Sequence, residues 1–313
     1  MIRLLAATVV GTLLLVGCGS EKSSPGPRPS PTPTIAASVT VERTVKDIIG
    51  RDVAVPATVN RVVALSPSAV DFAAALGLEL AGRPSDAPNA PGSVPQVGSS
   101  IMPDFAAVAA ATPDLVLADA SFHGARLRDF EQFPYPVFVL KTNSYQDILQ
   151  SLTALGQVSG RDEQARTTIA DIEARVAAAK ARGGGNAPPS VLILTGGGRE
   201  VYAGSDATYL GDLVRLLGAT NVLGSSPQGA PIAGFGLVEI TQVATLDPGV
   251  VLVISSGDGG LVDTIRSSPE WALSAAVTND RVYELDTLLY LRSPGPAVAE
   301  AVEQLAGMLF AGS

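Results

Sequence analysis

The chain of 313 residues has one cysteine, one histidine, one tryptophan and only four lysines. A single Cys excludes a disulfide framework, and one Cys with one His excludes zinc fingers and any metal site built from several imidazoles. Charged residues are scarce at 16%, so neither an acidic disordered chain nor a coiled coil describes the bulk of it. Basic clusters are missing as well. The 21 Lys and Arg stand against 30 Asp and Glu, a net charge of −9 with no cationic block, which argues against nucleic acid as a partner. What the chain does have is apolar material, 46% of its residues, and a length that predicts about two domains with real cores. The preference for Arg over Lys and the wealth of Ala, Gly and Pro read as genomic base composition.

The N-terminus sets the compartment. Arg3 precedes an apolar run from Leu4 to Val16, too short to span a bilayer but suited to the core of a signal peptide. The run ends Leu15, Val16, Gly17, Cys18, which resembles a lipobox: a small residue before the Cys at which a signal peptidase cuts, leaving Cys18 as a lipid-modified N-terminus. A diacylated Cys supplies two acyl chains, enough for stable anchoring. Pro, Ser, Gly and Thr then dominate to about Ser38, a composition that cannot bury a core and favours extended, polyproline-like conformations. The reading is residues 1–17 as signal peptide and 18–42 as lipidated Cys and tether, on a chain held outside the cell membrane.

Beyond the tether, apolar runs of strand length alternate with amphipathic stretches. Val62–Leu65, Leu115–Ala118 and Val137–Leu140 occupy the first half, and Val191–Leu194, Val250–Ile254 and Val282–Leu285 the second. Unbroken runs suit strands covered on both faces, so each half reads as a small parallel α/β sheet. Between them, Ser144 and Asp147 have capping-box spacing, and Ile148, Leu149, Leu152, Leu155, Ile169, Ile172 and Val176 recur at helical intervals to about Ala181. Gly156 and Ser159–Gly160 are candidate interruptions, and the stretch Gly183 to Pro189 ends the helix. The fold class is therefore α/β, with two parallel-sheet lobes bridged by a long helical segment and a ligand cleft between lobes. The expected boundaries are 43–142 for the N-terminal lobe, 143–189 for the bridging helix and hinge, and 190–313 for the C-terminal lobe.

Several motifs then fall in a recognisable order: Asp47–Arg51 with Val53–Pro56, Arg61–Ala69, Leu76–Gly77, Val97–Gly98, Pro113–Leu117 and Arg292–Pro296. Together they resemble the landmarks of the periplasmic-binding family for iron siderophores and cobalamin, the solute receptors of ABC importers, over roughly residues 43–310. The resemblance implies two lobes bridged by a long helix, small closure motions, and a ferric siderophore or corrinoid held between the lobes by a monomer without intrinsic cofactor. It also implies a docking device, in which an acidic residue on the rim of each lobe engages arginines of the permease. Here the pattern departs: Ala106 and Thr241 stand at the expected positions, with Asp104 and Glu239 the nearest carboxylates and Asp71 a further candidate. Carboxylates at helix starts have an ordinary explanation too, since the helix dipole favours them and Ser68 with Asp71 has capping-box spacing.

Open α/β sheets bind ligands at the carboxyl ends of their strands. That rule nominates Ser66, Pro67, Arg83, the loop Ser99–Met102, Phe122, His123, Arg199, Tyr202, Ser256–Gly259, Tyr290 and Arg292. The three arginines suit a carboxylate or other anionic group through forked hydrogen bonds, and Tyr202, Tyr290 and Phe122 suit an aromatic or tetrapyrrole face. Each Arg can equally serve an internal salt bridge, and each aromatic the core. His123 with Met102 would be a haem axial pair only if the fold placed them on one axis, which nothing in their spacing requires. Trp271, after Ser268–Glu270 at an expected helix start, reads as packing beneath that helix. Enzyme signatures are missing: Gly196–Gly198 is followed by Val201 where a dinucleotide loop needs its third glycine, and neither a phosphate-binding P-loop nor a nucleophile elbow occurs. The reading is a receptor that captures a ferric siderophore or related chelate and delivers it to an ABC import permease; the alternatives, in order, are a corrinoid or haem receptor of the same kind, a surface-anchored sensor and, last, an α/β enzyme.

Overall fold

A computed structural model of the chain describes residues 41–184, 187–197, 200–225, 233–255 and 260–311. The signal-like run, Cys18, the tether, Arg199 and Ser256–Gly259 lie outside the described residues.

Strands β1 (Val41–Lys46) and β2 (Asp52–Pro56) form an antiparallel hairpin whose turn explains the first motif. Asp47 Oδ1 accepts the N–H groups of Ile49 and Arg51, its Oδ2 pairs with the Arg51 guanidinium, and Gly50 takes φ 86°. Arg51 Nη2 then donates to Val137 O at 3.0 Å, which fastens the hairpin to the first lobe.

That lobe comprises β3 (Arg61–Ala64), α1 (Pro67–Ala75), β4 (Glu79–Gly82), α2 (Phe105–Ala110), β5 (Leu115–Asp119), α3 (Ala120–His123), a 3₁₀ segment Gly124–Gln132, and β6 (Val137–Leu140). Its four strands are all parallel in the order β4-β3-β5-β6. Every residue of β5 and β6 is buried, as continuous apolar runs covered on both faces should be.

The bridge is two helices rather than one. Ser144 caps α4 (Tyr145–Ser159) by accepting from Asp147 N–H, and Gly160 ends it in the left-handed conformation, φ 68° and ψ 26°. After Arg161 the chain continues as α5 (Asp162–Ala181). Gly156, the other candidate break, stays inside α4. A Cβ there would come within 2.6 Å of Ala165 Cβ, so its function is close helix packing. Helix α5 is the strut: near its start Gln164 Nε2 donates to Ala75 O at the end of α1.

The second lobe contains β7 (Ser190–Gly197), β8 (Glu200–Gly204), α6 (Tyr209–Leu216), β9 (Thr220–Asn221), β10 (Phe235–Val238), α7 (Ile240–Ala244), β11 (Val250–Ser255), α8 (Gly260–Ser267), α9 (Ala275–Thr278), β12 (Val282–Asp286), a π-helical turn Leu288–Arg292, and α10 (Val298–Leu309). At the far end of the strut, Arg175 of α5 grips Glu303 of α10 through Nε–Oε1 at 2.9 Å and Nη2–Oε2 at 2.7 Å. The sheet is mixed, not purely parallel. Strands β7, β11 and β12 run parallel, whereas β8 pairs antiparallel with β7 and β10 antiparallel with β8; β8 begins at Glu200, three residues after β7 ends at Gly197, too close for a crossover helix. Trp271 sits in a turn instead of a helix start; fully buried, it donates Nε1 to Ile240 O under α7.

One apolar cluster runs from Val62 and Phe72 through Ile148, Leu152, Ile172 and Val176 to Val191, Leu213 and Leu305. The inner faces of both lobes and the bridging helices therefore share a continuous core, while the outer face of each sheet has a smaller cluster of its own. Bending between lobes would expose part of that shared core, which restricts the motion to small angles.

Candidate ligand-binding cleft

A cleft of about 500 Å³ opens between the lobes, within the range of small-molecule sites. The first lobe contributes Ile101, Ser121, Phe122, Thr142 and Asn143, from a loop and from the segments that follow β5 and β6. The second contributes Ala207 to Leu210 at the start of α6, Ala233 and Phe235 around β10, and Tyr290, Leu291, Arg292 and Pro294 from the turn after β12. The walls are mainly aliphatic and aromatic, and Arg292 is the only charged side chain among the described lining residues.

The polar groups of the first-lobe wall are organised from behind. Asp119, fully buried, accepts from Ser121 N–H at 2.8 Å and from Thr142 Oγ1 at 3.4 Å. Burial pushes the Asp119 carboxyl above its ordinary value, with the bonds from Ser121 and Thr142 only partly offsetting it. Ser121 Oγ donates to Asn143 Oδ1 at 2.7 Å, which leaves the Asn143 amide nitrogen as the donor at that point. Across the cleft, Thr208 is spent on the helix it caps: Oγ1 donates to Ser205 O and accepts from Gly211 N–H.

Arg292 lines the cleft, yet its Nη2 lies 2.8 Å from Asp86 Oδ2 of the opposite lobe. Burial alone would raise the Asp86 pKa, but hydrogen bonds from Ser100 and the Arg292 charge outweigh it and hold the carboxyl below its usual value. Tyr290 also lines the cleft but is 1% exposed, with its hydroxyl donating to Ala301 O at 3.0 Å. Burial pushes that phenol above the ordinary tyrosine range, so what it offers a ligand is a neutral ring.

The other expected residues are dispersed. Ser66 is the buried cap of α1, accepting from Ala69 N–H, and Pro67 begins that helix with its carbonyl on Asn89. The capping residue is thus Ser66 and not Ser68, so Asp71 has no capping duty. Arg83 is held by backbone carbonyls, Nε on Val94 O and Nη1 on Pro84 O, and does not reach the cleft lining. Tyr202, on β8, donates its hydroxyl to Glu200 Oε2 at 3.1 Å, also apart from the lining. Phe122 is in the wall. His123 points away: Nδ1 accepts from Asp119 N–H at 3.0 Å and Nε2 donates to Ser100 O at 2.9 Å, while Met102 is 73% exposed outside the lining. The two do not form an axial pair, and no cluster able to hold a metal ion occurs among the described residues.

The three rim carboxylates differ in kind. Asp104 is exposed and caps α2 through Oδ1, which accepts from Ala106 and Ala107 N–H. Glu239 is exposed at the corresponding position of α7, and its carboxylate makes no capping bond to that helix. Asp71 is neither exposed nor free: Oδ1 accepts from Asn89 and Oδ2 from Ser293.

The sequence profile of the periplasmic binding protein family matches residues 62–288. The chain belongs to that family. The Fe(3+)-citrate-binding protein YfmC of Bacillus subtilis is 22% identical over 307 residues, covering 94% of this chain and 92% of its own. The ABC transporter substrate-binding lipoprotein YvrC of the same organism is 23% identical, covering 97% of this chain and 96% of its own. Among solved structures, Staphylococcus aureus IsdE complexed with heme superposes with a TM-score of 0.68 at 20% identity, covering 80% of this chain and 99% of its own.

In this periplasmic binding protein, several cleft residues escaped the reading from sequence. Thr142 and Asn143 follow β6 after Lys141, so the rule of strand carboxyl ends was sufficient to find them. Tyr209, Leu210 and Phe235 had no such signal, because β10 and the return of β8 were not visible as strands.

Proposed function

We propose that this chain is an extracytoplasmic solute receptor that captures an iron-siderophore or related organic chelate in its interlobe cleft and hands it to an ABC import permease. The observation that carries the reading is the cleft itself, framed by two rigidly bridged lobes in a chain of this family. Apolar and aromatic walls suit a metal wrapped in organic ligand rather than a bare ion, and Arg292 with the Asn143 amide offers donors for an oxygen-rich end. No bond is made or broken in this reading. The lipobox at Cys18 supports tethering to the membrane, as the likeness to a named lipoprotein does. Asp104 and Glu239 are the docking carboxylates of the reading. Each is exposed at the start of a short helix, and each follows an exposed apolar side chain, Met102 or Leu237. The aromatic lining also supports a second reading, a corrinoid or haem held by ring contacts without the His123–Met102 pair.

Calorimetric titration with ferric hydroxamate, ferric catecholate, ferric citrate, cobalamin and haem tests this. Trp271, buried in the second lobe, is a poor reporter of the cleft, so heat is the better signal. Saturable binding of one member, weakened at least tenfold by Arg292→Ala for an anionic chelate, is the expected result. No heat with any of the five refutes the chelate-receptor reading. A loaded receptor that fails to stimulate a reconstituted permease refutes delivery.

A further inference from the structure

The turn that supplies Tyr290, Leu291, Arg292 and Pro294 to the cleft belongs to the second lobe by sequence, since it follows β12 directly. Two of its polar side chains, Arg292 and Ser293, are held by the first lobe, while Tyr290 bonds back to α10. Ser293 Oγ donates to Asp71 Oδ2 at 2.6 Å, and Arg292 Nη2 donates to Asp86 Oδ2 at 2.8 Å and to Asp86 O at 3.3 Å. Both aspartates are fixed in turn. Asn89 Nδ2 bridges Asp71 Oδ1 and Pro67 O, and Asp86 Oδ1 accepts from both the backbone and the hydroxyl of Ser100. Ser100 O is then bonded by the buried His123. Behind the turn, Gly295 lies against α1, where a Cβ would meet Phe72 at 3.6 Å and Asp71 at 3.8 Å, ordinary contact distances.

We propose that Asp71 and Asp86 are positioning residues that clasp Arg292–Ser293 across the lobes, so that the first lobe sets the orientation of the cleft wall carried by the second. The inference rests on this cleft being the ligand site. Its chemistry favours a clasp over incidental contact. Ser293 is 3% exposed, so its hydroxyl has little water to turn to, and Asp71 is a half-buried acceptor that loses a partner if the turn moves. Arg292, held through Nη2 by the carboxylate and carbonyl of Asp86, is restricted in the orientations it presents to the cleft, which lowers the ordering cost of any anionic group it meets. The clasp is also a second interlobe crossing besides the α4–α5 bridge.

The test uses ligand-free full-length chain carrying Cys18→Ser, so that only introduced thiols react. Hydrogen exchange across 288–297 is compared in the parent, Ser293→Ala, Ser293→Thr and the double variant Ser293→Ala/Asp86→Asn. Spin labels at Ala110→Cys and Thr245→Cys report the distance between the two rims. Ser293→Ala is expected to speed exchange of this segment roughly tenfold, Ser293→Thr to restore protection, and the double variant to broaden the rim distance. Arg266→Ala, which breaks the Arg266–Asp280 pair within the second lobe, is expected to change neither. Unchanged exchange and distance in the double variant, or equal loosening by Arg266→Ala, overturns the proposal. If the double variant does not fold, Ser293→Ala against Ser293→Thr decides alone. Because no ligand is present, a failed titration with the five chelates overturns the function and leaves this result readable.

Discussion

His123 shows how burial decides the role of a titratable residue. Surrounded by Asp119, Ser100 and the rings of Phe122 and Phe130, it is 2% exposed, and both ring nitrogens are bonded to backbone. Nε2 faces Ser100 O at 2.9 Å, and Nδ1 faces both the N–H of Asp119 at 3.0 Å and its carbonyl oxygen at 3.1 Å. Burial drives its pKa below the ordinary histidine value, with the nearby Arg126 charge acting in the same direction. Below about pH 6.5 the unfolded chain therefore takes up a proton that the folded chain refuses, so this contribution to stability is complete above that pH and is lost as pH falls through it. The melting temperature of the wild type is expected to drop more between pH 7.5 and 5.5 than that of His123→Gln, as scanning calorimetry would show. Parallel slopes would remove His123 as the cause. In the sequence this residue was one name in a list of cleft candidates. Only the closing of α3 over the loop at Ser100 turned it inward.

At the scale of elements, α4 shows what local sequence does and does not specify. Its start at Ser144 is legible because the side chain satisfies an N–H that the helix itself cannot. Its end is legible as one of two glycine positions, and φ 68° at Gly160 selects between them. Gly160→Val should cost about 1–2 kcal/mol, since a β-branched residue disfavours the left-handed region. Urea unfolding with an unchanged slope would measure it. The terminal carbonyls have a partner no local pattern announces: Arg43 of β1 donates Nη1 to Gln157 O at 3.0 Å and Nη2 to Val158 O, from more than a hundred residues away. Arg43→Ala is expected to lower stability by about 1–2 kcal/mol, read from the same urea midpoint, and an unchanged midpoint would show that solvent replaces the bonds fully. The mixed sheet of the second lobe was illegible for a related reason. β10 pairs with β8, a partner distant in sequence, and its four residues Phe235–Val238 have too little alternation to declare themselves.

At the scale of the whole molecule, the lobes repeat one device on their outer rims. Helix α2 follows Asp104 and leads through Thr112, at φ 45°, to Pro113 and β5; helix α7 follows Glu239 and leads through Asp247, at φ 44°, to Pro248 and β11. The spacing from carboxylate to proline is the same in both. Matching scaffolds on lobes restrained by a shared core thus present these two carboxylates, the docking pair of the proposed function. Charge reversal of both, Asp104→Arg with Glu239→Arg, is expected to reduce uptake into cells more than tenfold while ligand affinity changes less than twofold, because like charges facing a cationic partner cost several kcal/mol. Equal losses of uptake and affinity would place these residues in the fold rather than at the docking face.

The α/β class, the two lobes, the helical bridge and the strands of the first lobe were determined by the sequence itself, because their signals are short in range: apolar runs, capping side chains and glycine stops act on neighbours within a few residues. The cleft was not. Which arginine reaches it depends on where loops from two lobes meet, so Arg83 is spent on its own loop, while Arg292 and Ser293 are bound to aspartates more than two hundred residues earlier. Such pairings are set by the packing of a core shared between lobes, and that is information only the tertiary structure holds.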